Sequence, residues 1–109
     1  MQFLTAQMMA DGINQLDDRF DAHAVEKRVL RLHTNEFAQE LMRYATSTDQ
    51  LRQFSAAFAK SVDSTFNAQI VQTQKVNSEN LGGELSMNQE WQKATTPVSV
   101  PAPQPTAAP

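Results

Sequence analysis

A chain of 109 residues with 40% hydrophobic side chains and a net charge of −3 is long enough for one core and too short for two. Without cysteine it can build no disulfide framework, thiolate metal site or Cys nucleophile. Nine Lys and Arg against twelve Asp and Glu argue against a general affinity for nucleic acid or anionic membrane, and no apolar run approaches the roughly 18 residues of a membrane span.

The first residues, Met1-Gln2-Phe3-Leu4-Thr5, lack the basic and long apolar regions of a signal peptide. Apolar spacing predicts a helix over 3–16, with Leu4, Met8, Met9, Ile13 and Leu16 on one side and Thr5 as N-cap. Gly12 weakens its interior by about 1 kcal/mol relative to Ala. Asp17-Asp18-Arg19-Phe20 reads as a polar break, because carboxylates oppose the dipole at a helix C-terminus. Asp21 caps a second expected helix running to about His33, with Ala22, Val25, Val29 and Leu32 as its stripe. Phe20, just before that cap, could staple onto Val25. Thr34 caps a third expected helix through about Ala45, carrying Phe37, Ala38, Leu41, Met42 and Tyr44.

The stretch from Thr48 to about Gln72 organises the rest. Leu51, Phe54, Phe58, Val62, Phe66 and Ile70 are spaced by three and then repeatedly by four, one face of a helix. Ser47-Thr48-Asp49-Gln50 fits a capping box at its start. Steps of four drift the stripe by roughly 40° each, so the two ends of this helix should pack against different neighbours.

Beyond Ile70 the helical stripe fades. Val71–Val76 gains β-branched residues, Asn80-Leu81-Gly82-Gly83-Glu84 is a turn signal, and Leu85-Ser86-Met87 alternates weakly. The two runs could pair as a hairpin, which is marginal without something to pack on. All five prolines fall between Pro97 and Pro109, the composition of a disordered or polyproline-like tail. The expected fold is therefore mainly α. A small bundle of about four helices (1–72) precedes a weakly structured arm or hairpin packing on it (73–94) and a disordered Pro/Ala-rich tail (95–109).

Chemistry-bearing clusters are few. His23 and Glu26 stand three apart on one helix and could share a metal, but His33 lies three turns away and no recognised ligand spacing completes the set. A serine–histidine arrangement could be drawn with Ser55 or Ser61, yet no nucleophile elbow supports it, and Gly82-Gly83 lacks the lysine of a phosphate loop. No catalytic residue, metal or cofactor is expected. Lys27, Arg28, Arg31 and Arg43 flank the short turn at Thr34 in a helix-turn-helix outline, although Glu36 and Glu40 would face the phosphates. Trp91 stands alone in the polar run Asn88–Lys93 and reads as an aromatic anchor, with Met87 and Leu85 beside it, or else as a lid over the helices.

The functional expectation is a non-catalytic interaction or assembly protein, an adaptor, subunit or accessory factor. It would dock another protein or a second copy of itself through Trp91, Met87 and Leu85. The alternative is a nucleic-acid-binding regulator using the basic face of residues 19–43. Size, absence of Cys and the Gln/Ala-rich composition suit a bacterial or bacteriophage chain acting in the cytoplasm or within a phage particle.

Overall fold

The computed structural model describes residues 1–101, and among these the chain forms four helices and three strands. Thr5 caps α1 (Ala6–Asn14), its hydroxyl accepting from the Met8 amide at 3.2 Å. The Asp21 carboxylate accepts from the Ala24 amide at 2.8 Å and opens α2 (Ala22–Leu32), and α3 (Thr34–Met42) follows after a single residue, His33. Gly12 has a packing role: a Cβ there would meet Val29 Cγ2 at 2.6 Å, so α1 lies against α2 only because this side chain is missing. The cap of α4 (Gln50–Thr65) is Asp49, which accepts from the Arg52 amide, while the Ser47 hydroxyl bonds back to the Tyr44 carbonyl.

Phe54, Phe58 and Val62 of α4, and Phe66 that caps its C-terminus, are completely buried. The drift of this stripe has the expected consequence. Phe54 meets Phe37 and Tyr44 edge-on, with ring centroids 5.0 and 5.8 Å away, whereas Asp63 at the other end takes the indole N–H of Trp91 at 3.0 Å.

The expectation of a mainly α chain with a weak arm is overturned. The architecture is α+β, with a three-stranded antiparallel sheet packed on the helices. Helix α4 stops at Thr65, and Ile70 begins β2 (Ile70–Glu79), which turns into β3 (Leu85–Lys93). The supposed polar break contributes β1 (Arg19–Asp21), which pairs with the far side of β3 and gives the order β1-β3-β2. Phe20 sits opposite Trp91 in this ladder, their rings 5.7 Å apart. With Ile70 these two provide the apolar end that a lone hairpin lacks. Farther out the strands carry Gln, Thr, Asn, Ser and Lys, which is why the period-two pattern was faint in the sequence.

Gln72 faces Trp91 while Lys75 faces Gln89, so β2 holds one residue more than β3 over this interval. Such a bulge bends a hairpin and tightens its twist. The tip is the expected turn: Asn80 Oδ1 accepts from the amides of Gly82 and Glu84, and Gly83 has φ +83°.

Both ends of the described chain are tied down. The Glu40 carboxylate, fully buried, accepts from the amides of Phe3 (2.7 Å) and Leu4 (2.9 Å) and pairs with Arg43. Burial alone would push this carboxyl up, but the Leu4 amide, the Arg43 guanidinium and the Phe3 amide together hold it below the usual range. At the other end the Asn14 amide clamps Val98 through both its N–H and its carbonyl, and Gln69 does the same to Ser99. Val98 is 2% exposed, so the expected disordered tail does not begin at 95; 102–109 lie outside the described residues. Among the described residues no helix is long and apolar enough to cross a membrane.

Phe58→Ala should lower the unfolding free energy by roughly 3–5 kcal/mol in urea titration. Ending the chain after Ala94 should cost about 1.5–3 kcal/mol through the lost burial of Val98, whereas a tail that buried nothing would leave the midpoint unchanged.

Candidate functional site: the groove between α4 and the hairpin

The hairpin leaves the core at the C-terminal end of α4, where Trp91 meets Asp63, and its tip returns to the start of α4. There a Cβ on Gly82 would lie 3.1 Å from Leu51. Helix and hairpin thus run alongside each other and enclose a groove of about 950 Å³. On the helix wall Arg52, Ala56 and Lys60 follow at four-residue steps, with Ser55 and Ala59 beside them. The small side chains keep this wall low between the two cations. Gln72, Lys75, Met87 and Gln89 line the opposite wall, and Ala22 and His23 stand at the start of α2.

Arg52, Lys60 and Lys75 are exposed, and among the described residues none is within ion-pair distance of a carboxylate. Two of the nearby acids have local tasks: Asp49 caps α4 and Asp63 holds the indole of Trp91. Glu84 lies near the tip.

A polar cluster joins the hairpin to α2. Asn88 Oδ1 accepts from the His23 amide at 3.0 Å, while Asn88 Nδ2 donates to the Val76 carbonyl and the Ser78 hydroxyl. His23 Nδ1 lies 2.9 Å from Ser78 Oγ, and Nε2 lies 3.4 Å from Ser86 Oγ. Burial pushes the His23 imidazole below its ordinary pKa, outweighing the Asp21 charge and the Ser78 carbonyl that favour the cation. A neutral ring held from both nitrogens fixes how the hairpin lies against the start of α2.

Behind Ser55, Glu26 of α2 is fully buried, accepting from Ser55 Oγ at 2.6 Å through Oε1, with no hydrogen-bond partner for Oε2 among the described residues. Burial raises its pKa to about 7 despite the serine hydroxyl, and the Asp21 charge acts in the same direction. His23 and Glu26 therefore turn to different partners rather than to a shared metal. Among the described residues no three His, Asp or Glu side chains come together as a metal-binding group.

The residues singled out from the sequence are dispersed. Trp91 is buried in the core and forms no surface anchor, while Met87 and Leu85 on the outer half of the same strand are 60% and 77% exposed. Lys27 and Arg31 are exposed on α2, Arg28 donates to Gln15, and Arg43 is bound to Glu40; none of the four lines the groove. Arg52, Lys60 and Lys75, which do line it, were not singled out from the sequence. A usable signal was present in the two cations eight apart with alanine midway, which share one helix face.

No family model matches this sequence, and no curated protein or solved structure matches it.

A carboxyl with a raised folded-state pKa stabilises the fold at acid pH and loses that contribution as pH rises. For Glu26 the loss should run from about 4.5 to about 7 and amount to about 3 kcal/mol. Glu26→Gln should remove this slope and be the more stable protein at pH 8. Urea titrations of both proteins at several pH values check the difference, and equal slopes would show that Glu26 is charged when buried.

Proposed function

We propose that this chain is a non-catalytic recognition module that holds the backbone of double-stranded DNA in the groove between α4 and the hairpin. The observation that carries the reading is the helix wall, where Arg52 and Lys60 project on one side without carboxylate partners among the described residues. Lys75 and the amide of Gln72 stand opposite, whereas the Gln89 amide donates to the Gln74 and Glu90 carbonyls. Two cations on one helix face, with Lys75 and the Gln72 amide across a groove that Asp49, Asp63 and Glu84 also line, suit a phosphodiester backbone, which takes charge-assisted bonds from Arg and Lys and neutral bonds from amides.

The path of the chain supports the same reading. Three helices after β1, followed by a hairpin that flanks the last of them, form a helix-turn-helix outline with a β-hairpin wing. In this outline α4, not α3, takes the place of the reading helix. That support is by analogy of fold and carries no residue roles. The acidic total limits the affinity, so binding should be weak and strongly dependent on salt.

A second reading, docking of another protein, is favoured by one observation: Leu85 and Met87 are exposed side chains on the same strand face. The two readings predict different losses. Fluorescence anisotropy with a mixed-sequence duplex should show binding at low salt, with log affinity falling against log salt at a slope of about −2 to −3 for two or three phosphates. Arg52→Ala with Lys60→Ala should abolish it while leaving the circular dichroism melt intact, and Leu85→Ser with Met87→Ser should leave it unchanged. No binding at low salt, or binding lost only in the Leu85/Met87 variant, would overturn the DNA reading.

A further inference from the structure

Strand β2 is the outer strand of the sheet, so one long side of Ile70–Glu79 has no strand beside it among the described residues. Beyond the bulge the direction of its peptide groups can be read from their partners. The Val76 carbonyl accepts from Asn88 Nδ2 at 3.1 Å, and the Ser78 carbonyl lies 3.2 Å from His23 Nδ1, so both turn inward to β3 and α2. Successive residues of a strand direct their peptide groups to opposite sides. The N–H and C=O of Lys75, Asn77 and Glu79 therefore point to the open side, and all three residues are exposed.

We infer that this edge pairs with the same edge of a second copy, antiparallel about a two-fold axis through Asn77, to form a homodimer with one continuous sheet. Charge selects the occupant and the register. Centring the pair on Asn77 sets Lys75 of each copy opposite Glu79 of the other, twice by symmetry, with the outward peptide groups of all three residues matched. Centring it on Lys75 or on Glu79 opposes like charges, and centring it on Val76 or Ser78 sets a charge opposite Asn77. Directly opposed unlike charges stabilise antiparallel strands and like charges destabilise them. A lone edge lysine discourages strand addition, but a lysine matched to a glutamate of the same strand admits one partner in one register. The exposed Leu85 and Met87 lie on the face shared with Glu79 and Asn77 and so flank the seam. This inference does not rest on the DNA reading.

Sedimentation equilibrium of the 109-residue chain should show a reversible monomer–dimer equilibrium. Lys75→Glu and Glu79→Lys should each weaken self-association about tenfold or more, equivalent to about 1.4 kcal/mol, because each leaves like charges opposed. The decisive measurement mixes the two single variants: one then carries two glutamates and the other two lysines, and the mixture should recover a heterodimer that neither forms alone. Asn77→Pro, which removes an outward N–H without touching the ladder to β3, should leave a folded monomer. A wild-type chain that stays monomeric at every concentration would overturn the proposal. So would a dimer indifferent to both charge reversals, or variants that fail to recover on mixing.

Discussion

The indole of Trp91 joins the helical and sheet layers. Its N–H reaches Asp63 of α4 and its ring packs on Phe20, the residue opposite it in the ladder. An indole buried without a partner for its N–H would lose much of what its area contributes, so Asp63 is a condition of the burial. Because that contact fixes the hairpin at one end of α4 and the Leu81–Gly82 tip rests near Leu51 at the other, the existence and width of the groove follow from it. Farther out, where the strands are polar, the His23–Ser78–Asn88 cluster holds the hairpin to α2.

Two buried glutamates show how the surroundings decide the fate of a carboxylate. Glu40 meets two backbone amides and a guanidinium, enough donors to keep its charge. Glu26 meets one serine hydroxyl, and its proton stays on into the neutral range. The first ties the N-terminal segment to α3, and the second lies directly behind the groove wall.

How much of this could be read in advance divides along physical lines. Helices with clear stripes and caps were legible: Thr5, Asp21 and the series Phe54 to Phe66 behave in the structure as their spacing implied. The end of α4 was not, because Ile70 continues the four-residue step and only the fold reveals that it serves a strand. Strand β1 is three residues long, too short to carry a period, and its pairing partner lies some seventy positions away. Trp91 stood among polar neighbours in sequence, yet its true neighbours, Phe20 and Asp63, come from elsewhere in the chain. The groove was invisible for the same reason: its walls belong to segments whose exposed residues look alike until they are set face to face.

The clamp of Asn14 on Val98 joins positions 84 residues apart, the first helix to almost the last described residue. A ribosome releases the chain from its N-terminus, so α1 emerges long before the segment that completes its surroundings. Helices α1 to α4 can associate early through contacts that are mostly close in sequence. The sheet cannot close on β1 until β3 has appeared, and the side of α1 around Asn14 stays uncovered until Val98 arrives. Long-range closure of this kind slows folding, and it leaves the nascent helical half with apolar surface open until the hairpin and Val98 have been made.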